Sequence, residues 1–123
     1  KEEKMTKIKL IYKETRPWGT FENLLDTDYC KVKEIVIKPG QAPSYQYHFK
    51  RSEVWVVVKG IGELKLDDEL IPVNTGQVIQ IPLKAKHQIK NNGEEDLVFI
   101  EVQQGSYFGE DDIVRLEDKY GRA

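Results

Sequence analysis

The chain has one cysteine, one methionine and two histidines among its 123 residues. A single thiol, Cys30, excludes an internal disulfide and a cysteine-built zinc knuckle. It fits a reducing compartment. No apolar run approaches the roughly 18 residues of a membrane span. The basic N-terminus KEEKMTKIKLIYKE lacks the apolar stretch of roughly 7–15 residues that a secretory leader requires. Neither sign of charge dominates: 19 Lys and Arg against 21 Asp and Glu leave a net charge of -2. That balance argues against a dedicated nucleic-acid or membrane-surface protein. The expectation is a soluble, cytoplasmic protein whose residues 1–6 form a flexible leader. Repeats and low-complexity tracts are also missing. So are helical stripes, apart from a short helical turn expected in DDIVRLEDKY (111–120). There Asp111 or Asp112 could cap, and Ile113, Leu116 and Tyr120 share a face.

What the chain does have is short β-branched runs separated by turn residues. KIKLIYK (7–13), CKVKEIVI (30–37), EVWVVVK (53–59), GELKLD (62–67), LIPV (70–73), QVIQIP (77–82), HQIK (87–90) and LVFIEVQ (97–103) all read as strands. Gly, Pro, Asn and Asp punctuate them, which means an all-β sandwich or barrel. Pro39, Pro43, Pro72 and Pro82 are expected at strand starts or ends, where a missing N–H is tolerated. The length suits one compact domain, 1–123.

Polar chemistry concentrates in QYHFKRSEVW (46–55). On a strand, Gln46 and His48 point to one face. A hairpin through FKRS would carry Glu53 alongside them on an adjacent antiparallel strand. The second histidine, His87, starts another short strand after a proline-led turn. Two imidazoles, a carboxylate and an amide oxygen form a hard-to-borderline donor set. It suits Zn, Mn, Fe, Co or Ni and argues against Cu(I). A hydrogen-bonded surface histidine is the competing reading for either His alone.

The wider spacing is familiar. Gly40, five residues, Gln46-x-His48, four residues, Glu53, six residues and Gly60 is similar to the first motif (40–60) of the cupin superfamily, with Gln in place of the usual first His. Gly76, five residues, Pro82, then His87 and Asn91 is similar to the second motif (76–91). The position two after Pro82, normally Gly, is Lys84. More specifically, the chain resembles the cupin domain of type II phosphomannose isomerases, usually the C-terminal part of bifunctional mannose-1-phosphate guanylyltransferases. RPWG (16–19), the tract Ser44 to Trp55, VVVKGIGEL, IPLKAKHQIKN and IEVQQGSYFGEDDIVRLEDKYGR carry the resemblance. Where that family often has further histidines, this chain has Phe49, Lys50 and Val54, positions that could tune the pocket. None of the quoted motifs resembles the nucleotidyltransferase half, so the resemblance does not imply guanylyl transfer for these residues.

The resemblance implies a double-stranded β-helix (jelly-roll barrel). It also implies a metal-dependent isomerase that interconverts mannose 6-phosphate and fructose 6-phosphate through an enediol. Gln46, His48, Glu53 and His87 would hold a divalent ion, zinc first among the candidates. The base is left open between a metal-bound hydroxide and an acid from Glu110, Asp111 or Asp112. Arg51, Glu110 and Arg115 are the expected catalytic residues, with Arg51, Arg115 and Lys86 the candidates for phosphate and Arg16 and Lys84 behind them. Tyr47, Lys86 and Tyr107 are the expected substrate contacts. Trp18, Trp55 and Tyr107 could line a sugar pocket, although Trp55 also reads as core. A homodimer exchanging residues 7–13 is expected, along with a small phosphorylated sugar as partner. Two other readings compete: a non-catalytic cupin that binds a sugar phosphate or nucleotide sugar beside a separate guanylyltransferase, and an iron-dependent dioxygenase.

Overall fold

The computed structural model describes residues 12–117. It contains eleven strands: β1 (Tyr12–Arg16), β2 (Gly19–Asp26), β3 (Cys30–Ile37), β4 (Tyr45–Tyr47), β5 (Arg51–Lys59), β6 (Ile61–Leu66), β7 (Glu69–Asn74), β8 (Val78–Ile81), β9 (His87–Lys90), β10 (Leu97–Gly105) and β11 (Val114–Glu117). They form two antiparallel sheets, one ordered β1-β2-β3-β10-β5-β8 and the other β11-β4-β9-β6-β7. This is the all-β jelly-roll architecture the sequence led one to expect. Among the described residues no helix is long and apolar enough to cross a membrane. The leader expected over 1–6 lies outside the described residues, as does most of the exchanging segment 7–13.

Alternation builds the interior. On β3, Lys33, Ile35 and Ile37 face inward; on β5, Arg51, Glu53, Trp55 and Val57 do so. On β10 the inward residues are Leu97, Phe99, Glu101 and Gln103. Register stacks these into rows across the sheet. Ile37 pairs with Leu97, and Ile35 and Val57 flank Phe99. Lys33 and Trp55 flank Glu101, and Glu53 pairs with Gln103. One end of the barrel is therefore an apolar core, sealed from the other sheet by Leu64, Val73 and Ile89. The other end is buried and charged.

Three expectations need correction. The segment expected to turn helically is strand over 114–117, paired to β4. Bonds to a neighbouring strand outweigh a weak helical spacing, and Tyr120 lies outside the described residues. Pro72 sits inside β7 rather than at its end. The fold tolerates it because β7 is an edge strand. Third, β4 and β5 are not hairpin neighbours. They belong to opposite sheets, so Glu53 meets His48 across the barrel interior.

Candidate metal and anion site

Three elements deliver the ligand set. β9 opens on His87, which pairs directly with Gln46 of β4, and Gln46 in turn pairs with Arg115 of β11. His87, Gln46 and Arg115 thus form one row across the second sheet. His48 follows the end of β4 and is buried. Glu53 is the third residue of β5, facing inward between Arg51 and Trp55.

The ligand atoms of His48, Glu53 and His87 lie within 4.8 Å of one another. Both imidazoles are oriented by backbone carbonyls. His48 Nδ1–H donates to the Asp112 carbonyl at 2.6 Å, and His87 Nδ1–H donates to that of Ala85 at 3.0 Å. Each ring is thereby committed through Nδ1 and left with Nε2 as its acceptor atom, the arrangement that preorganises a histidine ligand. His48 Nε2 stands 3.5 Å from Glu53 Oε2. Two ligands on a tetrahedral zinc-sized ion are separated by about 3.4 Å. Burial and the Arg51 guanidinium lower the His48 pKa to about 4, so the ring is neutral and ligand-competent near pH 7. Burial alone would raise Glu53, but His87, Arg51 and His48 hold it below the usual carboxylate range. Trp55 Nε1–H adds a 2.8 Å bond to Glu53 Oε1. The donor set fits a divalent borderline cation.

Arg51 threads this cluster. Its Nε donates to Glu53 Oε2 at 3.1 Å, and its Nη2 to His48 Nε2 at 3.1 Å. Its Nη1 is buried without a hydrogen bond, 3.9 Å from Glu110 Oε2. The Nε of Arg115 is also buried and unbonded. Both arginines line a cavity of about 160 Å³ together with Gln46, Glu53 and His87. Buried donors without partners are rare in folded proteins and point to an absent acceptor.

The expected residues divide cleanly. Gln46, Arg51, Glu53, His87, Glu110 and Arg115 line the cavity, and His48 belongs to the ligand cluster. Trp18 and Trp55 line it too, while remaining part of the core. Tyr47, Lys86 and Tyr107 do not line it. Tyr47 alternates away from Gln46 and packs edge-on against Phe49 at 5.3 Å. Lys86 Nζ sits near Asp68, and the Tyr107 hydroxyl donates to Asp111. Phe49, Lys50 and Val54, read as positions that could tune the pocket, also fall elsewhere. Phe49 and Lys50 are exposed, and Val54 is on the outer face opposite Val102. Of the three acids weighed as a base, only Glu110 reaches the cavity. Asp112 accepts the amides of Phe49 and Lys50. Asp111 is taken by Tyr107.

Two buried charged residues lining the cavity, Lys33 and Glu101, escaped the sequence reading, as did Gln103 beside them. All are buried, and Gln103 Nε2–H donates to Glu101 Oε2 at 2.6 Å. Lys33 Nζ pairs with Glu110 at 3.0 Å and lies over the Phe21 ring. The available signal was strand alternation: Glu101 and Gln103 continue the inward face of Leu97 and Phe99, where a charge is out of place unless it serves a site.

The family described as Mannose-6-phosphate isomerase C-terminal matches residues 2–118. The xanthan biosynthesis protein XanB of Xanthomonas campestris pv. campestris (strain B100) is 47% identical over 107 residues, covering 87% of this chain and 23% of that protein. The mannose-1-phosphate guanylyltransferase of Escherichia coli (strain K12) is 43% identical over 107 residues, covering 87% and 22%. This chain thus spans less than a quarter of the length of these relatives. Among solved structures, the capsular polysaccharide assembling protein CapF of Staphylococcus aureus superposes with TM-score 0.76 at 28% identity, covering 87% of this chain and 32% of that one. A Klebsiella pneumoniae protein with a double-stranded β-helix domain superposes at TM-score 0.70 and 21% identity, covering 78% of this chain and 77% of that one. That match supports the fold alone.

Proposed function

The chain belongs to the Mannose-6-phosphate isomerase C-terminal family, and from that premise we propose that it is a metal-dependent isomerase interconverting mannose 6-phosphate and fructose 6-phosphate. One observation carries the reading. A buried cluster of two histidine Nε2 atoms and a carboxylate opens onto the same cavity as two guanidinium nitrogens that make no hydrogen bond. A sugar phosphate is a ligand that offers both vicinal oxygens to a metal and an anion to arginines.

Gln46, His48, Glu53 and His87 would hold the cation, zinc first among the candidates. When bound it supplies Lewis acidity for the substrate's O1 and O2. Gln46 is neutral, so the site carries one carboxylate charge and leaves the cation more electrophilic than two would. Arg51 and Arg115 supply donors for the phosphate. With a cation held by His48 and Glu53, the Arg51 guanidinium that now contacts them would be available to the anion. Lys33 holds Glu110 ionised at the rim, where the pair fixes the cavity's edge. Trp18 and Trp55 give the sugar an apolar wall.

The test is metal analysis of the purified protein together with a coupled assay for fructose 6-phosphate. His48→Ala should lose bound metal and lower kcat/KM by about 100-fold or more, in the range seen when a key transition-state contact is removed. Stoichiometric metal with no turnover by the unaltered protein would sink the isomerase reading. It would leave a non-catalytic binder of sugar phosphates.

A further inference from the structure

We propose that Glu101 is the proton-carrying carboxyl of this site, the group that moves hydrogen between C2 and C1 of the substrate. The inference rests on the isomerase reading above.

The geometry singles it out by elimination among the acids of the cavity. Glu53 has both oxygens engaged, Oε1 by Trp55 and Oε2 by Arg51, and it belongs to the ligand cluster. Glu110 is more than half exposed and tied to Lys33. Glu101 stands outside the three-residue cluster that could take an ion, yet it lines the same cavity. It is 7% exposed and sits in the centre of its sheet, flanked in register by Lys33 and Trp55. Gln103 Nε2–H grips Oε2 at 2.6 Å, which holds the carboxyl in one orientation. A buried carboxyl has a large desolvation cost, and an apolar residue would extend the row of Leu97 and Phe99 more cheaply. That cost is typical of a group kept for chemistry.

The electrostatic surroundings agree. Burial, then the nearby Glu53 charge, push the Glu101 pKa up to about 8, while Lys33, Arg51 and the Gln103 bond pull it down. Lys33, Arg51 and the Gln103 bond favour the ionised carboxylate, the form that accepts the C2 proton.

The step balances within the substrate. Glu101 takes the proton from C2 of the open-chain aldose. The C2–H electron pair becomes the C1–C2 double bond, and the carbonyl π pair moves to O1, which takes a proton from solvent. In the second half O2 returns a proton to solvent, and the O2–H electron pair becomes the π bond of the C2 ketone. The C1–C2 π pair takes the proton back from Glu101 at C1. No oxidant or reductant is needed, and the carboxyl ends as it began.

The experiment compares the metal-loaded parent chain with Glu101→Gln and Glu101→Asp on mannose 6-phosphate. It reads kcat and KM, deuterium uptake from heavy water into recovered sugar, bound metal, and thermal melting. Glu101→Gln should melt as a folded protein with parental metal content and little change in KM. Its kcat should fall by about 100- to 10,000-fold, with deuterium uptake lost in step. Glu101→Asp should keep measurable turnover with a displaced pH–rate profile. Turnover by the parent alongside near-parental kcat in Glu101→Gln would overturn the assignment and leave the isomerase intact. If Glu101→Gln does not fold, an unshifted pH–rate profile in Glu101→Asp would overturn it instead. Absence of both turnover and exchange in the parent would remove the isomerase reading and this assignment together.

Discussion

His48 and Glu101 are both buried, and burial moves them in opposite directions: the imidazole down to about 4, the carboxyl up to about 8. The stability consequences therefore have opposite signs. Unfolded His48 binds protons more readily than the folded residue, so its contribution is lost as pH falls from about 6.5 toward 4. Folded Glu101 binds protons more readily than the unfolded residue. Its contribution is intact below about 4.5 and is lost as pH rises through about 8. In the metal-free protein, Glu101→Gln removes only the second slope. The melting temperature of that variant relative to the parent should rise steadily between pH 5 and pH 8, as read by calorimetry in chelator. A difference that is flat across that window would mean the carboxyl is not buried as described. Lys84 shows a different kind of residue-level constraint. It stands where the cupin pattern has glycine and keeps the glycine-like backbone, with φ of 65°. The turn survives the substitution because the Lys84 N–H is anchored on the His48 carbonyl at 2.8 Å.

At the scale of elements, the site depends on how β4 is joined to β5. His48 follows the last residue of β4 and Arg51 opens β5, so the short connection between them sets the distance from imidazole to guanidinium and Glu53. Two contacts hold that connection. Asp112 receives the amides of Phe49 and Lys50, and the end of β10 lies directly against it. There Gly105 has φ of 152°, and a Cβ at this position would meet the Lys50 carbonyl oxygen at 2.1 Å. The next residue, Ser106, donates its N–H to the same carbonyl. Gly105→Ala should therefore push β10 and the connection apart. A loss of about 2–3 kcal/mol in chemical denaturation is expected, with weaker metal retention because Arg51 and His48 shift. Unchanged stability would show that the connection tolerates the added methyl group.

At the scale of the whole molecule, the barrel has a dry end and a charged end, and the boundary runs between the Phe99 row and the Glu101 row. Trp55 spans it. Its ring stacks on Phe99 with centroids 4.5 Å apart, while its indole N–H serves Glu53. The core is thereby bonded to the ligand cluster, which keeps a polar site rigid inside a small domain. The six-stranded sheet ends at β1, whose outer edge carries no partner strand among the described residues. Open edges pair with other chains unless they are blunted. On that ground we propose a homodimer through this edge. Light scattering at micromolar concentration should then give twice the 14.3 kDa of the chain; a monomer mass would end the idea.

The sequence by itself determined the all-β class, the place of most strands, and the residue types that His48, Glu53 and His87 bring to the cluster. These follow from alternation with period two and from the short spacing of Gln46, His48 and Glu53, both of which are local properties. β2 was not legible because only Gly19 and Phe21 of its eight residues are fully buried, leaving little alternation to read. β11 was misread because its strand state exists only through pairing with β4. Which polar residues meet was decided by tertiary structure alone. Register across three strands puts Lys33 beside Glu101, and the facing of two sheets brings Glu53 to His48. The family resemblance implied Tyr47, Lys86 and Tyr107 as substrate contacts. The structure turns Tyr47 away from Gln46, because neighbours on a strand point to opposite faces, and pairs Lys86 with Asp68 and Tyr107 with Asp111.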